Sequence, residues 1–407
     1  MHCRFCKTEL HHIFIDLVNS PASNSFLGRE QLNEPEVFYP LKVYTCHNCF
    51  LVQVDEYKKS DAIFSSDYVY YSSFSKTWLE HAEKYTKLMI EKFTLDKNSK
   101  VIEIASNDGY LLQYFLAKKI EVLGIEPTAN TASVARKKGI ETIIDFFGVR
   151  LANELKEKNI EADLLLGNNV LAHVPDILDF VGGMKIILKP DGIITMEFPH
   201  LLQLVENNQF DTIYHEHFSY LSFSTVKKVF ESQGLEMFDV EELPTHGGSL
   251  RIYAKHKESS RKISPNVQNM LDKEVSKGML NLSFYNNFQK NAFEIKLQLC
   301  DFLIEQKRKG KRVAAYGAAA KGNTLLNYCG IKYDYIDFVV DANPYKQNKF
   351  LPGSHVPVVD ESHLMESKPD YILILPWNLQ DEITRQLEYV REWDAKFVIP
   401  IPYLQII

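Results

Sequence analysis

The run Val101-Ile102-Glu103-Ile104-Ala105-Ser106-Asn107-Asp108-Gly109 constrains this chain more than any other feature. A short apolar strand ends in small polar residues and opens into the helical pattern Tyr110–Lys119. A buried strand followed at once by a helix is the unit of a parallel sheet covered by helices. The next units repeat it. Ile120–Glu126 reads as a strand and Ala129–Gly139 as a helix closed by its glycine. Ile143–Asp145 is a short strand, Asp163–Gly167 a fourth strand and Ile177–Leu188 a helix. Pro190-Asp191-Gly192 reads as a turn into the strand Ile193–Phe198. The expected fold is a doubly wound α/β sheet that takes its ligand at the C-terminal ends of the strands.

The turn lacks the three-glycine pattern of a dinucleotide site. A pyrophosphate must approach the backbone closely at a helix N-terminus, and glycines permit that. S-adenosylmethionine carries no phosphate; it has an ammonium, a carboxylate, a sulfonium and a ribose diol. Glu103, Asn107 and Asp108 suit its cationic groups and amino-acid end, with Ala105, Ser106 and Gly109 completing the loop. Glu126 ends the second strand, beside Pro127, where it can accept both ribose hydroxyls; its distance from the loop is close to the ~20 residues of the analogous acid in dinucleotide folds. Asp145 can meet the adenine amine and Phe146 can pack on the ring. Asn168 and Asn169 end the fourth strand, where methyl donor and acceptor should meet. A generic α/β domain with a polar turn is the bland alternative, but four successive strand ends with suitable groups favour a methyltransferase.

Cys3-x2-Cys6 and Cys46-x2-Cys49 are two knuckles. Four thiolates satisfy tetrahedral Zn²⁺ and leave no open position, so the expected site is structural. His2, His11, His12 and His47 lie nearby as substitute ligands, and buried free thiols are the alternative. Cys300 and Cys329 fall in helical patterns and read as core.

A helix is expected from Thr77 to Phe93, after the aromatic, serine-rich stretch Asp67–Ser75. Beyond Tyr253 the alternation stops, and Pro265 to Gly310 reads as a helical linker. It resumes with the strand Val313–Tyr316, the helix Ala320–Tyr328 and the strands Tyr335–Asp341, Val356–Val359 and Tyr371–Leu375. The expected domains are 1–66, zinc-binding; 67–257, a Rossmann-like methyltransferase domain; and 258–407, a helical linker plus a second Rossmann-like α/β unit. The net charge of −7 argues against a general nucleic-acid or membrane-surface binder. No apolar run approaches the roughly 20 residues that span a bilayer, and the N-terminus has no leader-like stretch. The expectation is a cytoplasmic protein that binds neither nucleic acid nor membrane.

Tyr214-His215-Glu216-His217 follows the fifth strand and can fold over the cofactor mouth. Its spacing does not suit a helical metal motif. Proton transfer suits it better, since an imidazole near pKa ~6.5 serves as a base at neutral pH. His173 lies four residues past a strand end, either facing that cleft or capping; His246 shapes a tight turn with Gly247 and Gly248. Farther on, the strand ending in Tyr316 turns through small residues, Ala319 among them, into Lys321-Gly322-Asn323. Amides at that helix start welcome an anion, and Lys321 adds charge. The run does not fit G-x4-G-K-[ST], which excludes a P-loop. Asp341, Asn343 and Asn378 lie at neighbouring strand ends and can complete a pocket for a phosphate-bearing acceptor such as a nucleotide sugar.

The paired cysteines, Tyr-Tyr-Ser-Ser, Glu-Ile-Ala-Ser-Asn-Asp-Gly, Asn-Val-Leu-Ala-His-Val-Pro-Asp, Tyr-His-Glu-His-Phe-Ser-Tyr-Leu-Ser, His-Gly-Gly-Ser-Leu-Arg and Tyr-Gly-Ala-Ala-Ala-Lys-Gly-Asn-Thr-Leu occur in that order. Over nearly its full length the chain resembles the nucleotide-sugar C-methyltransferases, the deoxysugar 3-C-methyltransferases among them. The resemblance implies an acceptor that is a nucleotide-linked 4-keto-6-deoxy sugar, lying between the two Rossmann-like units. It implies His217 as the base that removes the proton beside the ketone, assisted by Tyr214 and Glu216. Asn169 and His173 would contact the sugar near the enolate oxygen. A tyrosine from Tyr68–Tyr71 would reach in from the zinc-domain side; Tyr68 is taken here, with Tyr70 and Tyr71 as alternatives. The enolate carbon, C-3, would take the sulfonium methyl, in a monomer or weak dimer. Rival readings are a zinc-ribbon RNA methyltransferase, a nicotinamide-dependent sugar oxidoreductase and a non-catalytic sugar-binding scaffold.

Overall fold

The computed structural model describes residues 1–59 and 70–407. Tyr68 and the expected boundary at 66/67 lie outside the described residues.

Three N-terminal strands, β1 (His12–Ser20), β2 (Tyr39–Thr45) and β3 (Val52–Val54), pair antiparallel. In β2, Leu41, Val43 and Thr45 are buried while the residues between them face outward, the period-2 pattern of a half-covered sheet. A fourth strand comes from far along the chain: Val52 and Gln53 pair with Tyr220 and Ser219 of β9 (Ser219–Tyr220). The Val54 amide also donates to the Phe218 carbonyl at 3.1 Å. The sheet therefore grips the chain just after Tyr214–His217.

Each cysteine knuckle closes by a backbone hydrogen bond from the residue after its second cysteine: Lys7 N–H to Cys3 O, 3.0 Å, and Phe50 N–H to Cys46 O, 2.9 Å. Both residues take positive φ, 61° and 64°. Sγ of Cys3 lies 3.5 Å from that of Cys49, Cys6 Sγ lies 3.5 Å from Cys46 Sγ, and all four sulfurs fall within 4.8 Å of one another. Tetrahedral zinc with bonds of ~2.3 Å sets sulfurs about 3.8 Å apart, so the donor set fits Zn²⁺. Among the described residues no histidine joins this cluster.

The central sheet has the order β10-β11-β8-β7-β4-β5-β6. Its strands are β4 (Lys100–Ile104), β5 (Glu121–Ile125), β6 (Thr142–Ile143), β7 (Ala162–Asn168), β8 (Leu188–Pro199), β10 (Leu235–Leu243) and β11 (Ser249–His256). β4 to β8 run parallel, and β11 joins antiparallel to β8. β4 lies between β5 and β7, so the chain reverses its winding there and opens a crevice at the ends of those strands. Two local expectations are corrected. Pro190-Asp191-Gly192 is not a turn before a strand: it bulges within β8, between the pairs Ala162↔Leu188 and Leu164↔Ile193. The strand expected at Ile143–Asp145 stops at Ile143, because Asp145 pairs with Arg150 on the surface instead.

The linker forms helices Pro265–Ser276 and Phe288–Arg308. From the first, buried Glu274 accepts hydrogen bonds from His200 Nε2 (2.7 Å), the Phe223 amide (2.6 Å), the Ser224 amide (2.8 Å) and the Ser224 hydroxyl. Two of these are orphan donors at the start of helix Phe223–Ser232.

The C-terminal sheet runs β14-β13-β12-β15-β16-β17. Its strands are β12 (Val313–Tyr316), β13 (Val339–Val340), β14 (Val358–Val359), β15 (Tyr371–Ile374), β16 (Lys396–Ile399) and β17 (Gln405–Ile406), the last two beyond those expected. The strand expected at Tyr335–Asp341 shrinks to Val339–Val340, because Lys332–Ile336 coils into a turn that still buries Ile336. Phe14, Ile15, Leu41 and Val43 of the N-terminal sheet share one apolar core with Phe288, Ile295 and Leu299 of the linker and Ala314 and Leu325 of the C-terminal unit. Among the described residues no helix is long and apolar enough to cross a membrane.

Glu274→Ala should destabilise the protein by at least about 1–3 kcal/mol, the cost of leaving a buried donor unsatisfied, read as a lower urea midpoint; Glu274→Gln, which keeps an acceptor, should cost less.

Candidate functional site

β4 delivers Glu103 and then a loop that twists sharply. Ala105 and Asn107 adopt φ of 57° and 50°, a left-handed conformation rare outside glycine. At Gly109, φ 75°, a Cβ would lie 2.5 Å from Ile140 Cδ1. Glu103 is fully buried, and the Tyr110 phenol is the hydrogen-bonding group beside its carboxylate. Burial lifts its carboxyl well above the usual range, and the Tyr110 phenol offsets only part of that. The Ser106 hydroxyl, one Asp108 oxygen and the Asn168 amide nitrogen are buried without a partner. Buried polar groups normally find partners; this set, an acid with surrounding donors and acceptors, fits an amino-acid headgroup carrying both charges.

Glu126 is buried, and its own chain already uses it: Oε2 accepts from the Asn107 amide at 2.8 Å, and Oε1 from the Thr128 amide at 2.9 Å and the Thr128 hydroxyl. Oε2 keeps a second lone pair for a ribose hydroxyl, whereas Oε1 already accepts twice. Pro127 beside it is half-buried. Asp145 is held by Arg150, 2.7 Å to both oxygens, and Phe146 is 41% exposed. Segment 70–75 lies over the loop: the Ser72 amide donates to Asn107 Oδ1 (2.9 Å), the Ser73 amide to Asp108 Oδ2 (3.3 Å), and Asn107 Nδ2 to the Tyr70 carbonyl (3.1 Å). Tyr71 stacks on Tyr345 of the C-terminal unit, ring centroids 5.2 Å apart.

The Tyr-His-Glu-His loop faces this mouth. His217 Nδ1–H donates to the Thr212 carbonyl at 2.9 Å, which fixes the tautomer and leaves Nε2 as the acceptor of the Tyr214 hydroxyl at 2.8 Å. Burial, and then the neighbouring His173, hold the His217 pKa well below the usual imidazole value. Burial pushes the Tyr214 phenol well above its usual value, so it keeps its proton. His173 Nδ1–H donates to the Glu216 carbonyl (2.8 Å), and its ring meets His217 edge-on at 4.6 Å. Burial takes His173 down to about 4 and Glu216 up to about 7. His215, in contrast, turns toward β2 and donates to the Pro40 carbonyl at 3.1 Å.

Asn169, at the end of β7, donates to His246 Nε2 at 2.7 Å, and its own Oδ1 is buried without a partner. His246 is held at φ 53°, its pKa taken down to about 4 by burial and then by Lys321. Lys321 thus sits close enough to act on both His217 and His246. Its Nζ donates to Asn378 Oδ1 at 2.5 Å and lies 4.5 Å from the Trp377 ring. Other expected pocket residues are spent on the fold. Asp341 accepts from the Ala318 amide at 2.8 Å and pairs with Lys346. Asn323 donates to the Ser23 carbonyl at 2.6 Å. The Asn343 amide caps Asp341 at 2.8 Å. Ala319 and Tyr316 flank the turn; the Tyr316 hydroxyl accepts from Gln386 at 2.9 Å. Gly322 lies against Leu375, where a Cβ would come within 2.7 Å.

Three participants escaped sequence reasoning. Asn24 Nδ2 lies 2.8 and 2.9 Å from the two oxygens of Glu216; nothing in Pro21-Ala22-Ser23-Asn24 marks it. Asp211 is fully buried, accepts from Trp377 Nε1 at 2.8 Å and is pushed up to about 6 by burial against the pull of Lys321. An acid three residues before Tyr214 was the available signal. Glu197, at the end of β8, gathers Arg251 (2.9 Å), His81 (2.8 Å) and Thr245 (2.8 Å) under His246.

Comparison with known proteins assigns each region. Residues 3–64 match the zinc binding domain family that accompanies methyltransferases, 78–240 a methyltransferase domain and 244–402 the C-methyltransferase C-terminal domain. The chain is 34% identical to C-methyltransferase NovU of Streptomyces niveus over 100% of its own length and 96% of the relative's. Among solved structures it is similar to the PH0226 protein of Pyrococcus horikoshii OT3 (15% identity, TM-score 0.38, 46% of this chain and 95% of that one). It is also similar to magnesium protoporphyrin IX methyltransferase of Synechocystis PCC 6803 (11% identity, TM-score 0.34, 43% and 78%). The cofactors are S-adenosylmethionine and zinc.

Two measurements follow from this geometry. Glu103→Gln should weaken S-adenosylmethionine binding about tenfold by calorimetry, since the ligand's cation keeps a hydrogen bond but loses the opposite charge of the carboxylate. Histidine NMR of the free protein should find His173 and His246 still neutral at pH 5, titrating near 4. The unfolded chain binds those protons near 6.5, so each imidazole favours unfolding as pH falls from 6.5 to 4. The raised carboxyls of Glu216 and Asp211 act in the opposite sense over the window below their folded values.

Proposed function

This chain belongs to the C-methyltransferase family, and on that premise we propose that it methylates a nucleotide-linked 4-keto-6-deoxy sugar at C-3, the carbon beside the ketone. When bound, S-adenosylmethionine supplies a methyl group on a sulfonium, an electrophile that needs a carbon nucleophile. A sugar C–H becomes one only as an enolate. The base that makes it is His217: the proton leaves C-3 for Nε2, and the electron pair is delocalised onto the ketone oxygen. Glu103, Asn107 and Glu126 would hold the donor, which would give up its methyl group to that carbon and become a neutral thioether.

The observation that carries this reading is the fixed tautomer of His217. Its Nδ1–H is held on the Thr212 carbonyl, so Nε2 is a base without any proton rearrangement, and burial keeps the ring neutral at physiological pH. The Tyr214 hydroxyl, now on Nε2, is the donor available to an oxyanion when substrate takes its place. Asn169 and His173 line the same mouth, and Lys321 from the C-terminal unit brings positive charge toward it. That charge, with the turn after Tyr316, suits the phosphates of a nucleotide sugar. The Tyr70 carbonyl on the cofactor loop supports entry of the tyrosine stretch from the zinc-domain side. The division of the chain at 66/67 and 257/258, action in the cytoplasm without nucleic acid or membrane, and a monomer or weak dimer complete the proposal.

With a keto-sugar nucleotide in deuterium oxide and no methyl donor, the protein should exchange the C-3 hydrogen for deuterium, and with donor it should add 14 mass units, read by mass spectrometry, as a methyl replaces hydrogen. His217→Ala should lower both rates by about 10²–10⁴; undiminished methylation would remove His217 from the base role. Because a base acts when deprotonated, the acid limb of kcat/KM should lie below the usual imidazole value of about 6.5.

A further inference from the structure

We propose that Asn24, supplied by the zinc domain, is a positioning residue for the proton transfer: it holds Glu216 and, through Glu216, the His173–His217 pair. The inference rests on the reading of His217 as the base.

The contact is direct. Asn24 Nδ2 lies 2.8 Å from Oε1 and 2.9 Å from Oε2 of a carboxylate that is only 3% exposed. Among the described residues these are the hydrogen bonds the carboxylate receives. The backbone carbonyl of the same residue accepts His173 Nδ1–H at 2.8 Å, and His173 packs edge-on against His217. A shift of Glu216 therefore moves the ring beside the base.

Asn24 is itself held rigidly. Its turn closes with the Ser25 amide on the Ala22 carbonyl at 3.0 Å. Asn323 of the C-terminal unit grips the Ser23 carbonyl at 2.6 Å. Leu27 and Phe350 exchange backbone hydrogen bonds at 3.0 and 2.9 Å. The amide thus reaches the methyltransferase loop from a turn braced by the third unit.

The chemistry of an amide matters here. It donates to the carboxyl without adding charge, whereas a cation would lock Glu216 ionised and a carboxylate would compete with it. The charged and titratable groups that face Glu216 are Lys58, after β3, and Tyr214, on its own loop, with His173 across the carbonyl. Burial raises the Glu216 carboxyl to about 7 and Asn24 is the largest influence in the other direction.

The test compares Asn24→Ala, Asn24→Gln and Asn24→Asp in the full-length zinc-loaded protein, measuring C-3 deuterium exchange, methylation, KM for S-adenosylmethionine, zinc content and melting temperature. Asn24→Ala should slow exchange and methylation by the same factor, between about tenfold and a hundredfold, with the KM for S-adenosylmethionine and the zinc content unchanged. Asn24→Gln should recover part of that. Asn24→Asp should lose more activity at pH 8 than at pH 6, because two neighbouring carboxyls must share a proton, so its alkaline limb moves to lower pH. Wild-type exchange and pH profile in Asn24→Ala would overturn the proposal. So would equal losses in all three variants at every pH, tracking the melting temperature. If His217→Ala retains exchange, the base reading has failed; if His217→Ala abolishes exchange and Asn24→Ala leaves it intact, only the role of Asn24 has.

Discussion

The pairing of β3 with β9 is the constraint on which the rest of this molecule depends. Two ladder pairs, Val52 with Tyr220 and Gln53 with Ser219, join the sheet of the cysteine knuckles to the strand that follows the Tyr-His-Glu-His loop. A sheet this small cannot bury enough apolar surface to stand alone. Metal–thiolate bonds at one end hold the knuckles, and the linker helix Phe288–Arg308 covers the apolar face. Four thiolates would complete the coordination of zinc, so the metal would act as a brace for the edge beside Tyr214, Glu216 and His217.

The two halves of the site solve opposite electrostatic problems. On the cofactor side an acid is buried with only the Tyr110 phenol beside it, so its charged form is disfavoured until a cation arrives. On the acceptor side three imidazoles, His173, His217 and His246, are crowded together near Lys321, which is tolerable only while all three are neutral. One region buries an acid and the other crowds neutral imidazoles beside a lysine. Asn168 ends β7 and Asn169 follows it directly.

Much of this was legible before any coordinates. The parallel units announced themselves because each pairs an apolar strand with a turn and a periodic helix, all local signals. The cysteine knuckles and the loop after β4 were equally local, and the four cysteines come together as expected. What escaped was long-range. Asn24 and Glu216 lie 192 residues apart and meet only because β1, the C-terminal unit and the catalytic loop converge. Asp145 was read from its strand end, yet it is drawn aside by Arg150, five residues on. Asp341 and Asn323 carry suitable groups for a ligand but spend them on Ala318 and Ser23, a choice decided by tertiary packing. Pro190-Asp191-Gly192 has turn chemistry, and only the pairing with β7 makes it a bulge.

The shared core has a consequence for how the chain comes into being on the ribosome. Phe14, Ile15, Leu41 and Val43 emerge long before the residues that cover them, Phe288 to Leu299, which lie about seven-tenths of the way along the chain. The fourth strand of their sheet arrives at residue 219, about midway. For most of synthesis, then, the nascent N-terminus presents an uncovered apolar face and an unpaired strand edge, the features that invite misassociation. Early capture of the metal by Cys3, Cys6, Cys46 and Cys49, all within the first stretch to leave the exit tunnel, gives that segment a fixed shape while it waits for its partners.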